Sequence, residues 1–424
     1  MKLLCFLLIM AMAAMASKPP ILTTLYNFSN DDGEAYAPYG GLVRAHNGVL
    51  YGTTSAGGAF GNGVVYSLTP PGSGGRSWLY QVLYSFRGAS QGDGSNPAGT
   101  LVLASQGSLL GTTQGGGANN AGTVYKLSPS QGGIGPWSEA ILYSFSAFDV
   151  NLPSSGLTVD SVGNLYGSTV RYNVYAPGGV FRLSPPSTPG GTWTETTLFE
   201  FQGGAAGSTP GDAVPLVDAT GNLYGTTLYG GVNSGAPYGQ LGTVYELSPS
   251  QSPGAPWNEE VIFSFPNPSA GAQPAAGLIM DSSGCLYGTT SRNVYSVTHG
   301  SVFKLTPPTV PGLPWTEQVL WNFLGPADGS AQSPLVFDAQ GNLYGTTIDY
   351  GDLSACTMGC GTVFKLLAPA NNPTGAWAAG WNFEFTGING SIPFGNLVLE
   401  NGSIYGVTYT GGQYGYGTVF QLQQ

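Results

Sequence analysis

Acid–base and nucleophilic chemistry find few openings in this chain. Its 424 residues hold 22 Asp and Glu, 11 Lys and Arg, four Cys and two His, His46 and His299. Cleaving a glycosidic bond takes two carboxylates at a set separation. Away from repeated positions the candidates are Asp149, Asp212, Asp349 and Asp352. Glu139, Glu195, Glu259 and Glu317 each follow a Trp by two residues, which marks them as recurring ladder positions. GASQG at 88–92 matches the Gly-x-Ser-x-Gly nucleophile pattern around Ser90. That elbow needs a strand before it and a helix after it, and here it falls in a Gly-rich loop. Two histidines and no Cys-x-x-Cys pair argue against a zinc site. No phosphate-binding glycine loop, dinucleotide fingerprint or His-Glu-x-x-His occurs. No catalytic residue, metal or cofactor is assigned.

Side chains suited to binding are more plentiful. Tyr175, Tyr238, Tyr295, Tyr350 and Tyr414, with Arg171, Arg292, His299 and Asp349, fall in Gly-rich segments of variable length. Loops on a rigid scaffold carry function disproportionately, and a Tyr-rich, weakly charged rim suits neutral sugars through ring stacking and hydroxyl bonds. The net charge of −11 repels phosphates and anionic headgroups. Nucleic acid and membrane surfaces are therefore poor partners, and a carbohydrate or an extracellular protein is expected instead.

What positions these loops is a repeat. GNLYGTT stands at 221–227 and again at 341–347, with variants at 48–54, 163–169 and 284–290. The glycine of this core falls at Gly52, Gly111, Gly167, Gly225, Gly288, Gly345 and Gly406, at intervals of 59, 56, 58, 63, 57 and 61 residues. Each copy holds four short apolar runs bounded by Gly, Pro, Asn and Asp, the mark of strands. In the unit around 214–265 they are VPLVD, LYGTT, GTVYELSP and WNEEVIFSF. An Asp-x-x-Gly turn at Asp160, Asp218, Asp281 and Asp338 joins the first two, with Asp able to hold nearby backbone N–H groups. Seven such units predict an all-β fold, a seven-bladed β-propeller with four antiparallel strands per blade.

The chain ends support closure over a β-solenoid. A fourth-strand segment, LTTLYNF at 22–28, precedes any first strand, and a third-strand segment, GTVFQLQQ at 417–424, comes last. Pairing the two completes the seventh blade and removes an open sheet edge. Within a blade, Leu and Tyr of LYG are expected on opposite faces, with Gly leaving room for a neighbouring blade's backbone or ring. Third-strand Lys126 and Lys304 are expected to pair across the ladder with Glu139 and Glu317, for ~0.2–1 kcal/mol each. The second-to-third loops share a face with the crossings between blades, and the ligand site is expected there, near the central channel.

GNLYGTT followed by GTVYKLSP, W-x-E and LYSF resembles the GloVer-type (choice-of-anchor) tandem repeat of secreted bacterial proteins, over residues 21–424. The resemblance implies an exported repeat protein, and members often add a C-terminal anchor. A leader fits that: MKLLCFLLIMAMAAMASKPP has a basic start, an apolar run and Ala14-Met15-Ala16. Residues 1–16 are expected to be a signal peptide cleaved after Ala16, and 17–424 one propeller domain. No later stretch is long and apolar enough to cross a bilayer. In an oxidising compartment, extracellular or periplasmic, Cys356 and Cys360 are expected to form a disulfide. Cys285, replacing the Asn of the repeat, is expected to be a buried thiol. The combined expectation is a secreted, monomeric binding or scaffold module for neutral glycans. The alternative is a glycan-active hydrolase or lyase with carboxylates at the central channel.

Overall fold

The computed structural model describes residues 19–424 apart from 32–33, 74, 131–134, 147–151, 171–177, 189, 212, 233–240, 251–256, 267–270, 292–299, 325–328, 352, 355 and 371–374. The leader assigned to 1–16 lies outside the described residues. Seven antiparallel sheets follow one another around a ring, giving the seven-bladed propeller. Blade 4 shows the plan: Leu216–Val217, Leu223–Thr227, Thr243–Ser248 and Asn258–Ser264, paired in chain order. In blade 7, Ser391–Glu400, Ser403–Thr410 and Thr418–Gln423 are joined by Ile21–Asn27 as the outer strand. Ile21 faces Gln423 and Asn27 faces Thr418, so the ring closes as the chain ends predict. An Arg44–Glu400 ion pair then ties blade 1 to blade 7.

Every letter of the repeated motif has a physical task. Leu50, Leu109, Leu165, Leu223, Leu286, Leu343 and Ile404 are fully or almost fully buried, each in one of seven apolar clusters that lie between blades. The core is thus a set of interfaces rather than one centre. Tyr points to the other face, toward the next blade's tryptophan. Tyr51–Trp137, Tyr166–Trp257, Tyr224–Trp315, Tyr287–Trp377 and Tyr405–Trp78 meet edge to face at 6.0 to 6.4 Å. Such pairs add about 0.5–1.5 kcal/mol beyond their buried area. The first Thr latches blades together: Thr112, Thr226 and Thr289 donate to carbonyls of Ser155, Ala276 and Ser333 in the following blade, at 2.8, 3.2 and 3.2 Å. The second Thr pairs its hydroxyl with the start of the third strand, as Thr227 does with Thr243 at 2.8 Å.

The glycine differs from expectation. A Cβ on Gly288 would lie 2.6 Å from Cζ of Phe303, and Phe303 is its cross-strand partner in the same blade. The same holds for Gly52 with Tyr66 and Gly406 with Phe420. The glycine therefore makes room for a ring of its own sheet. That ring is in turn met edge-on by the aromatic that ends the preceding blade's fourth strand. Phe28–Tyr66, Phe86–Tyr125, Phe145–Phe181, Phe201–Tyr245, Phe265–Phe303, Phe323–Phe364 and Phe385–Phe420 stand at 5.0 to 5.3 Å. One such contact sits at every blade interface, the closing one included.

The Lys–Glu ladder is also corrected. Lys126 lies opposite Ala140, and Glu139 opposite Leu127. Lys304 lies opposite Gln318, and Glu317 opposite Leu305. A register one residue away from the expected one sends the two charges to opposite faces of the sheet.

Candidate functional site

Of the loop residues singled out, Tyr175, Tyr238, Tyr295, Arg171, Arg292 and His299 lie outside the described residues, as do Asp149, Asp212 and Asp352. Asp349, Tyr350 and Tyr414 are described, and they do not converge on one cleft. Asp349 accepts the Ser330 N–H at 2.6 Å, fixing the crossing between blades 5 and 6. Tyr350 sits at φ 61° and locks its loop, donating its N–H to Met358 O at 2.7 Å and accepting from Gly361 N–H at 2.8 Å. The left-handed backbone at a tyrosine is held by these bonds and by the Cys356–Cys360 disulfide, whose Cα atoms are 5.4 Å apart. Cys285 is the buried free thiol expected.

Tyr414 lies instead on the loop 411–417 of blade 7, beside blade 1. It is 52% exposed, Tyr416 in the same loop 37%, and Phe60 in the matching loop of blade 1 55%. Behind them Tyr36 meets Tyr416 at 5.5 Å, and Tyr39 meets Phe394 at 4.6 Å and Tyr409 at 6.1 Å. Burial pushes the Tyr26 phenol up to about 12, and the Glu34 carboxylate and Tyr414 add to the effect. Among the described residues, Tyr414 and Tyr416 thus present their rings to solvent at the closure of the ring, and Phe60 does so one blade further on.

The central channel is nearly shut. A cavity of about 40 Å³ is lined by residues in or just before the first strands of all seven blades, among them Tyr39, Thr100, Gly156, Val214, Ala276, Gln332 and Asn396. Backbones of neighbouring blades touch around it: a Cβ on Gly40 would lie 2.0 Å from Gly99 O, and one on Gly99 2.1 Å from Gly156 N. Thr100 donates to Asn396 Oδ1 at 2.7 Å, linking blades 2 and 7 past blade 1. Among the described residues lining this cavity there is no carboxylate. GASQG forms a short 3₁₀ turn at Ala89–Gln91, not a strand-to-helix elbow.

The roomier cavities open on the opposite face, among the Asp turns. One, of about 510 Å³, lies between blades 5 and 6 and includes Asp281, Cys285, Tyr287, Lys304, Phe337, Asp338 and Trp377. Its neighbour, of about 430 Å³ between blades 6 and 7, includes Phe337, Asp338, Tyr344, Lys365, Glu400 and Gln424. The turn at Asp338 is their shared wall. Asp338 accepts backbone N–H groups of Gln340 and Asn342, both at 2.9 Å, and the Tyr344 hydroxyl at 3.1 Å. Burial pushes its carboxyl up, but these bonds and the Asn342 amide outweigh burial and hold it below the usual range. Lys304 and Lys365 lie over the Tyr287 and Tyr344 rings at 5.3 and 5.1 Å. The recurring third-strand cation is thus the cross-strand partner of the motif tyrosine.

Sequence reasoning missed these grooves because it had already accounted for the Asp turns as structure. The signal was present, though: the basic position of the third strand recurs in step with Asp and Tyr in blades 3, 5 and 6. The ladder glutamates are a second surprise. Burial pushes Glu139 and Glu317 up to about 7, and Glu259 upward too, and one oxygen of each is buried without a hydrogen-bond partner. Among the described residues no cluster of His, Cys, Asp and Glu could hold a metal ion, and no helix is long and apolar enough to cross a membrane.

A family model described as the Gloeobacter/Verrucomicrobia repeat matches the chain three times over, at residues 13–235, 136–357 and 228–424. No curated protein sequence matches. Among solved structures, the chain is similar to the extracellular domain of a one-component system from B. thetaiotaomicron, at 13% identity and TM-score 0.52, over 95% of this chain and 40% of that one. That likeness concerns the fold alone. A luciferin-regenerating enzyme matches at 12% identity and TM-score 0.47, over 96% of this chain and 95% of that one. An oxidoreductase (glucose dehydrogenase) from Thermus thermophilus matches at 15% identity and TM-score 0.45, over 76% of this chain and 95% of that one.

Proposed function

The chain belongs to the Gloeobacter/Verrucomicrobia repeat family, and on that premise we propose that it is an exported propeller that binds neutral glycans outside the cytoplasm. Residues 1–16 act as the leader and 17–424 as one monomeric binding or scaffold domain. The observation that carries this reading is the exposed aromatic rim of Tyr414, Tyr416 and Phe60 on the second-to-third loops. Solvent-facing rings on a rigid frame stack on the apolar faces of sugars, and the acidic surface disfavours anionic ligands. Tyr175, Tyr238, Tyr295, Tyr350, Arg171, Arg292, His299 and Asp349 belong to the same set of loops. The alternative, a hydrolase or lyase with carboxylates at the central channel, rests on Asp149, Asp212, Asp349 and Asp352, of which Asp349 alone is described.

A glycan array on the protein recovered outside the cytoplasm tests the reading. Tyr414→Ala and Tyr416→Ala should each weaken binding about tenfold with the melting temperature within ~2 °C of the parent. Binding that survives both changes removes the loop face from the proposal. An N-terminus other than Ser17 removes the cleavage site.

A further inference from the structure

We propose that the groove between blades 5 and 6 is a second binding site, on the face opposite the aromatic rim, and that it takes a neutral pyranose-ring saccharide. Only the class of ligand is shared with the loop-face reading. Three features single this groove out. Its volume of about 510 Å³ falls within the range of small-ligand pockets and suits one or two sugar rings. Its walls are aromatic, with Tyr287 meeting Phe337 at 5.0 Å and Trp377 at 6.3 Å. Phe337 makes this interface unusual, since the matching first-strand position is Val159 in blade 3, Val217 in blade 4 and Leu399 in blade 7. Flat apolar walls receive the C–H face of a sugar ring.

The polar groups supply the third feature. In blades 3 and 6 the repeat Asn donates its amide to the turn Asp, at 2.7 and 2.8 Å. Cys285 takes that position in blade 5, so among the described residues the outer oxygen of Asp281 accepts only from the Tyr287 hydroxyl, at 2.9 Å. Lys304 lies over the Tyr287 ring and forms no ion pair with a described residue. An acceptor with spare capacity and a donor without a carboxylate partner flank the same ring. Neighbouring hydroxyls of a pyranose can donate to the one and accept from the other. The adjoining groove is already satisfied: Lys365 donates to Gln424 at 2.9 Å, lies 4.0 Å from Asp338, and Gln424 also reaches the Tyr344 hydroxyl at 3.0 Å. Asp281 and Asp338 outnumber Lys304 in the lining, so an anionic sugar is disfavoured.

Calorimetry on the purified full chain tests this with methyl glycosides and short oligomers of glucose, galactose, mannose and xylose, and with glucuronate oligomers as the anionic counterpart. Lys304→Gln keeps a residue that blade 7 already tolerates at Gln421, and Ser282→Trp plugs the exposed rim of the groove. Each should remove one class of site, or weaken binding by ~10-fold or more, the worth of a lost charged hydrogen bond. Lys304→Gln stands alone if the Trp variant does not fold. The proposal is overturned if no neutral saccharide binds, if glucuronate oligomers bind as tightly, or if binding responds only to Tyr414→Ala. That last outcome leaves the loop-face reading in place, whereas loss confined to the Lys304 and Ser282 variants leaves the groove and removes the rim.

Discussion

Replacing Tyr66, Tyr125 and Tyr245 by Phe should stabilise the ring, although each change deletes a polar group. The three side chains occupy the third-strand position that Phe181, Phe303, Phe364 and Phe420 hold in the other blades. All three are fully buried, and none of their hydroxyls has a hydrogen-bond partner. Each presses on the motif glycine: a Cβ on Gly52, Gly111 or Gly225 would lie 2.4, 2.4 or 2.2 Å from it. Burial pushes these phenols far up, with Glu139 adding to the effect at Tyr125 and Glu259 at Tyr245, so they stay protonated. An unsatisfied buried hydroxyl costs about 1–3 kcal/mol, and part of that is recovered when the oxygen is removed without disturbing its ring. Ring contacts to Phe28, Phe86 and Phe201 at 5.3, 5.0 and 5.0 Å are retained. We expect about 0.5–1 kcal/mol per site, adding to about 2 kcal/mol in the triple variant because the sites lie in separate blades. Urea midpoints at constant slope measure this directly. A loss of about 1 kcal/mol at any of the three sites would show that its hydroxyl is held by a buried water, and the reasoning fails there.

Three further outcomes follow from the packing and the titrating groups. Deleting 19–29 removes the outer strand of blade 7 and the Phe28–Tyr66 contact, so the ring should open with loss of most of its stability; a melting temperature within about 2 °C of the parent would refute closure. Glu317→Gln should stabilise by about 1–2 kcal/mol above pH 7, after discounting for partial exposure, and by nearly nothing below pH 4.5. The sign follows from the raised folded value of about 7: stability associated with the protonated carboxyl is full below the unfolded value and is lost as pH rises through 7. A pH-independent effect in denaturation curves would refute it. Thiol labelling of the denatured, unreduced protein beginning at Ser17 should find Cys285 alone, and three labelled thiols would rule out the Cys356–Cys360 bond.

Much of the architecture is written locally. The 56–63-residue period, the strand boundaries at Gly, Pro and Asp, and the spare strand at one end matched by a missing one at the other are all one-dimensional facts. So is the Asp turn, because Asp218 holds N–H groups of Thr220 and Asn222 only two and four residues away. A local hydrogen bond needs no knowledge of the rest of the chain. The disulfide, closing four residues, belongs to the same class.

Tertiary structure decided what depends on register and on which blade comes next. Whether Lys126 meets Glu139 or Ala140 turns on a one-residue shift, and the long third-to-fourth loops leave that shift unspecified. The ring filling the space over Gly288, the tryptophan meeting Tyr287 and the carbonyl receiving Thr289 lie 15 to 90 residues along the chain. No periodicity in the sequence separates a neighbour in the same sheet from one in the adjoining blade. The candidate site shows the same division: tyrosines in loops could be named from the sequence, but a groove exists only where two blades face each other. Cys285, Lys304, Phe337 and Trp377 come from two consecutive repeats and were brought together by the packing of one blade on the next, not by their spacing in the chain.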